Sequence, residues 1–237
     1  MKARIFEVFT SVEGEGILYG TKTLFVRLAG CPFKCFYCDT TDALPLSSGT
    51  EYDIDKACGL IKEKLEDNTF KVNFTGGDPL LQPDAVAQMA KYVNSMNVFT
   101  YLESSCFDSD NFKKVLPFID FAKIEFKTID SEFVDRQHYK LLVENAIECL
   151  RSSVAQKKTT YIKIVVSSKT DSKPFSELVN KIFQAISKDD IAGFVIQPTY
   201  GIAEPNLDLL LKLYDMVYPY YNQVRVVPQL HKFIGAP

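Results

Sequence analysis

A parallel α/β fold, a barrel or incomplete barrel of about six strand–helix units, is what the sequence predicts, and two observations predict it. From residue 53 onward the chain repeats one pattern: a helix with apolar spacing near 3.6, a turn and a short strand. Strands alternating with helices of this length form parallel βαβ units, and their number suits a barrel better than a small open sheet. The residues with chemical potential also fall, one strand after another, just past the strands' carboxyl ends, where parallel α/β barrels carry out their chemistry.

Taken in order, residues 4–10 alternate well enough for a short strand, and the loop 11–16, whose Gly14 and Gly16 each follow a carboxylate, breaks it. Residues 23–30 form a clear strand with Leu24, Val26 and Leu28 on one face and Thr23, Phe25, Arg27 and Ala29 on the other, so Arg27 points into whatever the sheet encloses. Residues 41–50 read as a plain loop broken by Pro45 and Gly49. Helices are predicted over 53–67, 84–95, 108–116, 131–150, 176–187 and 206–218, and strands between them at 71–75, 98–103, 121–127, 160–167, 193–197 and 224–227. No linker, repeat or charge block interrupts the series, so 1–237 is read as a single domain.

Sorting the strands by face exposes an anomaly. Fully buried parallel strands are apolar on both sides, yet here one face carries Asn73 and Thr75, Glu103, Lys123, Glu125 and Lys127, Lys163 and Ser167, Gln197, and Arg225. The opposite face stays greasy, with Val72, Phe74, Ile124, Ile162 and Ile196 among its residues. Burying so many charges in a filled core would cost several kcal/mol each unless they were paired, so the polar face is expected to line a concavity. With Arg27 the set holds five cations against two carboxylates, which favours ligands bearing carboxylates. The other reading for Lys71, Lys123 and Lys163 is that they snorkel to a solvated bottom rim.

Composition narrows the function. The 237 residues are 46% hydrophobic and 24% charged, enough for a sizeable core, and a net charge of −3 with a pI near 5.5 argues against direct nucleic-acid binding. No stretch suggests a membrane span, and residues 1–7 turn mixed and acidic too soon for a signal peptide, so a cytoplasmic location is expected. In that reducing compartment the six cysteines are not a disulfide framework. Cys31, Cys35 and Cys38 cluster within eight residues, whereas Cys58 and Cys149 read as buried thiols. A structural zinc site wants four closed ligands, and no second Cys or His pair follows nearby. An iron–sulfur cube held by three cysteines keeps one iron open.

The spacing Cys31-x-x-x-Cys35-x-x-Cys38, with Tyr37 before the last cysteine, resembles the signature of the radical S-adenosylmethionine (radical SAM) superfamily, and Thr75-Gly76-Gly77-Asp78-Pro79 resembles its GGE segment, with Asp78 in place of glutamate. Finer details are similar to one family, the 7-carboxy-7-deazaguanine synthases. These are Glu7-x-Phe9-x-Ser11-x-Glu13-Gly14-Glu15-Gly16, Arg27 to Cys31 leading into the cluster, Cys38-Asp39-Thr40 leading out, and the terminal Gln229-Leu230-His231-Lys232-x-x-Gly235-x-Pro237. The chain departs from that pattern with Glu13 where Gln is usual and with Glu103-Ser104-Ser105-Cys106 where the family has Glu-Thr-Asn-Gly-Thr. Cys106 reads as a spare thiol.

The resemblance implies an incomplete barrel of the radical SAM type, with a substrate loop at 7–16 and a substrate-binding tail at 224–237. It implies conversion of 6-carboxy-5,6,7,8-tetrahydropterin to 7-carboxy-7-deazaguanine with loss of ammonia, a step towards 7-deazapurines such as queuosine or archaeosine. By the same resemblance Cys31, Cys35 and Cys38 hold a 4Fe-4S cluster and Thr40 a magnesium ion, Mg2+. Tyr37, Cys38, Asp39, Gly77, Asp78, Glu103, Ser104, Lys127 and Gln197 meet S-adenosylmethionine, and Val12, Glu13, Gly14, Glu15, Arg27, Thr75, His231 and the terminal carboxylate of Pro237 meet the pterin substrate. Arg27 suits a carboxylate through its guanidinium fork, and Glu15 suits the ring N–H donors of the pterin. A flavodoxin- or ferredoxin-type reductant and a homodimer are implied too. Two other readings stand beside this one: a radical SAM activase that installs a glycyl radical on a partner protein, and a zinc-binding module without enzymatic activity.

Overall fold

The structure is a computed structural model and describes residues 1–131 and 136–235, with only the backbone of 136 and 137. Its sheet changes character at β2 (Lys22–Leu28). On one side, β1 (Lys2–Val12) pairs antiparallel with β2, and β3 (Thr50–Asp53) pairs antiparallel with β1. On the other side β4 (Lys71–Gly76), β5 (Phe99–Ser104), β6 (Phe121–Phe126), β7 (Thr159–Val166), β8 (Gly193–Pro198) and β9 (Arg225–Val226) follow, each parallel to the last. The order β3-β1-β2-β4-β5-β6-β7-β8-β9 does not close on itself, so the fold is a partial barrel.

The helices α1 (Ile54–Lys64), α2 (Pro83–Ser95), α3 (Ser109–Val115), α4 (Arg136–Ala155), α5 (Ser172–Ala185) and α6 (Leu207–Val217) fill the gaps between parallel strands. They pack on the greasy strand faces, where Val72, Phe74, Ile124, Ile162 and Ile196 are fully buried. Helix starts follow their caps: Asn206 accepts from the Leu209 N–H at 2.9 Å, and Asp171 from the Lys173 N–H at 3.0 Å. The Asp171 cap moves α5 four residues ahead of its expected start, with Pro174 tolerated in the first turn. For α4, part of the expected stretch (132–135) lies outside the described residues, and the helix runs on to Ala155.

Two elements escape the periodicity. Thr50–Asp53 was expected to be loop up to residue 50 and helix from 53, but its four largely exposed residues complete an edge pairing with β1. The other is α7 (Leu230–Ile234), five residues long and too short to show a period.

The polar strand face does point inward, with corrections. Lys71, Lys123 and Lys163 do not snorkel to a rim; all three are buried and paired with carboxylates. Arg225 is exposed and leaves the set. The expected cation excess does not hold: Glu7, Glu13, Glu15, Asp39 and Asp78 join Glu103 and Glu125 on the cavity wall, outnumbering Arg27, Lys123, Lys127, Lys163 and Lys232. The extra acids come from β1 and from loops, which sorting of the parallel strands could not count. Cys106 and Cys149 are buried, but Cys58 is only partly so.

Candidate active site

The glycine pair ending β4 locks the second strand end to the first. Gly76 has φ +129, and a Cβ there would lie 2.2 Å from the Leu28 carbonyl oxygen; one on Gly77 would lie 2.1 Å from that of Gly30. Only hydrogen fits. The turn therefore closes on the chain entering the cysteine loop, with Gly77 N–H donating to Leu28 O at 3.0 Å and Asp78 N–H to Gly30 O at 2.7 Å.

Asp78 then ties this unit to β5. Its Oδ1 accepts from Leu80 N–H at 3.0 Å and Ser104 Oγ at 2.8 Å, and its Oδ2 from Ser105 N–H at 2.9 Å and Ser105 Oγ at 2.6 Å. Four donors use up the acceptor sites of one carboxylate. Burial raises the Asp78 carboxyl, against the pull of those donors.

Arg27 is held on three sides. Its Nε donates to Glu7 Oε1 at 2.7 Å, its Nη1 to Thr40 Oγ1 at 3.0 Å, and its guanidinium carbon lies 5.3 Å from the Phe9 ring centroid. Thr40 Oγ1 donates onward to Asp39 Oδ1 at 3.1 Å. Asp39 Oδ2 in turn meets the C-terminal segment, with Gln229 Nε2 and His231 Nε2 each at 3.3 Å and Lys232 Nζ at 3.0 Å. Burial would raise the Asp39 carboxyl, but His231 and Lys232 outweigh it and hold it well below the usual carboxylate range.

Deeper in, three lysines converge on Glu125: Lys123 at 2.9 Å, Lys163 at 3.2 Å, and Lys127. Burial raises Glu125, yet Lys123, Lys127 and Lys163 together hold it well below its ordinary value. Lys127 Nζ also sits 5.4 Å from the Tyr37 ring centroid. Glu103 receives the Tyr101 hydroxyl at 3.1 Å and lies 3.6 Å from Lys123 Nζ; against burial, Lys123, Lys163 and Asn73 hold it at about 2. Gln197 Oε1 is buried with no hydrogen-bond partner among the described residues, an acceptor open to a ligand's donor.

These charges carry a pH signature. With Glu103 lowered from 4.5 to about 2, its contribution is complete above pH 4.5 and is lost as the pH falls towards 2, about 3 kcal/mol in all. Urea titrations across that window should show Glu103→Gln flattening the acid limb; an unchanged slope would exclude Glu103 as its source.

Every residue named from the sequence for cluster, S-adenosylmethionine, magnesium and substrate lies on the wall of one cavity of about 370 Å³, except Pro237, which lies outside the described residues. Glu7, Lys123, Lys163, Ser105, Gln229 and Lys232 share that wall although no role was read for them from the sequence. Strand alternation points to the two lysines, and the family resemblance puts Glu7 in the substrate loop 7–16 and Gln229 and Lys232 in the tail 224–237; Ser105 is visible only once loops meet. The partly buried thiols of Cys31, Cys35 and Cys38 line the same cavity, and burial pushes Cys31 up to about 12 and raises Cys38. Among the described residues no three His, Cys, Asp or Glu side chains gather closely enough for a single metal ion. A four-iron cube is wider than one ion and would be held by the three thiolates with one iron left without a protein ligand, so the donor set fits that group.

Comparison with known proteins agrees. The family described as "4Fe-4S single cluster domain" matches residues 12–146. A 7-carboxy-7-deazaguanine synthase of Archaeoglobus fulgidus is 30% identical over 100% of both chains. The chain belongs to the 7-carboxy-7-deazaguanine synthase family. A relative of the same name from Thermoplasma acidophilum is 30% identical over 97% of this chain and 96% of its own. Members are radical SAM enzymes, so the family implies an iron–sulfur cluster and S-adenosylmethionine as cofactors. Among solved structures, QueE from Escherichia coli has a TM-score of 0.63 at 16% identity, covering 98% of this chain and 95% of its own. A domain of a pyruvate-formate lyase-activating enzyme from Bacteroides vulgatus has a TM-score of 0.52 at 15% identity, covering 66% of this chain and 98% of its own. Both likenesses concern the fold alone, so the second gives the activase reading no support.

Proposed function

We propose that the chain converts 6-carboxy-5,6,7,8-tetrahydropterin to 7-carboxy-7-deazaguanine with release of ammonia, as a radical SAM enzyme of its family. The observation that carries this reading is convergence: loop 12–15, the cysteine loop with Arg27 and Thr40, and the segment 229–232 border one cavity although they are far apart in sequence. When bound, the 4Fe-4S cluster held by Cys31, Cys35 and Cys38 would supply one-electron reduction of S-adenosylmethionine, and the chain's residues would position the two groups.

The chain's own residues bind and orient. Cys31, Cys35 and Cys38 supply the thiolates, and ligation displaces the protons that burial favours on Cys31 and Cys38. Asp78 is occupied by four donors, so contact with the methionine amino group falls to the Gly77 backbone, while Gln197 Oε1 offers a further acceptor. Tyr37, Cys38, Asp39, Glu103, Ser104 and Lys127 complete the S-adenosylmethionine wall. Arg27, fixed by Glu7 and Phe9, presents its guanidinium to the substrate carboxylate. Thr40 Oγ1, 3.0 Å from Arg27, offers a hard oxygen to Mg2+ beside that carboxylate. Glu15 accepts ring N–H donors of the pterin, with Val12, Glu13, Gly14, Thr75 and His231 on the same wall; the terminal carboxylate of Pro237, which lies outside the described residues, is a further substrate contact in this reading. The reductant is of flavodoxin or ferredoxin type, and the working form is a cytoplasmic homodimer that touches no nucleic acid. Among the described residues no helix is long and apolar enough to cross a membrane.

The test is anaerobic reconstitution followed by reaction with dithionite, S-adenosylmethionine and the carboxypterin. A deazapurine carboxylate is expected; S-adenosylmethionine cleavage without that product would reject the assignment. If the terminal carboxylate binds substrate, a tag fused after Pro237 should cut kcat/KM at least about tenfold relative to the same tag at the N-terminus.

A further inference from the structure

Two lysines come up from the barrel interior to meet the two carboxylates of loop 12–16. Lys71 on β4 donates to Glu13 Oε2 at 2.7 Å and to Thr23 Oγ1 at 2.7 Å. Lys163 on β7 donates to Glu15 Oε2 at 2.5 Å. Lys71 is fully buried and does not line the cavity, so it reaches no ligand. Glu13 is likewise turned away from the cavity's centre: its Oε2 also takes Asn73 Nδ2 at 3.3 Å, and its Oε1 takes the Glu15 N–H at 3.3 Å.

The loop is held from the other side as well. Gly14 O accepts from the Leu230 N–H at 2.9 Å, and a Cβ on Gly14 would lie 2.4 Å from His231 Nδ1, so α7 sits directly on it. Gln229 Nε2 donates to Glu15 Oε1 at 2.9 Å, which leaves that carboxylate gripped by Lys163 below and Gln229 beside it. A glycine between two like charges has no local reason to adopt one shape. The order comes from below, where each acid meets a buried cation, Lys71 for Glu13 and, for Glu15, Lys163, which it shares with Glu125.

We propose that Lys71 and Lys163 are positioning residues for the substrate loop, Lys71 setting its height through Glu13 and Lys163 setting the orientation of the Glu15 carboxylate. This rests on the reading of loop 12–16 as substrate-binding. One consequence is specific to Lys71. A fully buried ammonium needs its counter-ion, and removing one member of a buried pair is worse than removing both. Glu13→Gln alone therefore strands Lys71, and Glu13→Gln combined with Lys71→Met relieves it.

The experiment compares reconstituted holoenzyme of wild type, Lys71→Met, Lys163→Met, Lys163→Arg, Glu13→Gln and the double variant Glu13→Gln/Lys71→Met. Two readouts are taken: pterin KM and kcat separately, and amide hydrogen exchange of the peptide spanning the loop. Iron–sulfur absorbance serves as the loading control. Lys71→Met, Lys163→Met and Glu13→Gln should each raise pterin KM by roughly tenfold to a hundredfold, with kcat within about threefold, and speed loop exchange. The double variant should recover most of the loop protection, and Lys163→Arg most of both readouts. Loop exchange unchanged in Lys71→Met and Lys163→Met, or a double variant no better than Glu13→Gln, would overturn the proposal. If wild type makes no deazapurine, the activity reading falls while loop exchange still decides the role of the lysines.

Discussion

Cys35→Ala is expected to yield a folded protein without its iron–sulfur cluster and with activity reduced at least about a thousandfold. Two thiols cannot satisfy a cube that needs three protein ligands to leave one iron open. Loss of the chromophore should therefore be complete rather than graded. The backbone of the loop does not depend on that thiol: Cys38 N–H donates to Cys35 O at 3.0 Å, Cys31 N–H to Leu44 O at 3.0 Å, and Gly30 N–H to Ala43 O at 2.8 Å. Cys35 is partly exposed, so truncating it in the iron-free chain should change stability by no more than about 0.5 kcal/mol. Iron content, visible absorbance and a thermal melt of the metal-free protein check all three expectations. Retained stoichiometric iron in Cys35→Ala would mean that another residue completes the site.

Much of this arrangement is legible in the sequence because it is periodic or local. The 3.6 spacing marks α2, α3 and α6 to within a residue at each end and α1 apart from its last turn, which ends at Lys64, and the two-residue alternation puts Lys123, Glu125 and Lys127 on one face. The cysteine spacing is local too. Partnership is not. That Glu13 serves Lys71, or that Asp39 holds His231 and Lys232, depends on where β1 and α7 settle against the barrel, and those contacts join residues 58 and 192 or more positions apart. For the same reason the cavity holds more acids than the parallel strands show, since Glu13, Glu15, Asp39 and Asp78 sit on loops with no strand period to sort them and Glu7 sits on antiparallel β1. β3 stayed hidden because an exposed four-residue edge strand carries almost no apolar signal.

Asp78 shows how a motif position can change its task while keeping its place, and Asp78→Asn should be among the most damaging single substitutions outside the cysteines. The carboxylate accepts two donors on each oxygen, all within 3.0 Å, and it joins the Gly76-Gly77 turn to the end of β5. An asparagine retains one oxygen and sets an N–H2 group against donors already committed to that spot. If the oxygen keeps Leu80 and Ser104, the amide nitrogen faces the Ser105 N–H at the 2.9 Å position, donor against donor, with no water able to intervene in a fully buried site. The neighbouring backbone makes the loss worse. Cys106 is a non-glycine residue at φ +57, a conformation that costs about 1 kcal/mol and persists only where surrounding bonds impose it. Those bonds are the Ser105 pair to Asp78 and the Cys106 N–H to Ser104 Oγ at 2.9 Å. The expected destabilisation is about 3 kcal/mol, a fall in Tm on the order of 10 °C for a chain of this size. Ser105→Ala removes one neutral donor and should cost only about 1 kcal/mol. The ratio between the two variants is the diagnostic quantity. A clamp predicts a threefold gap in thermal stability already present in the metal-free protein. A carboxylate kept only for S-adenosylmethionine would leave both metal-free melts at the wild-type value and show itself solely in cofactor affinity.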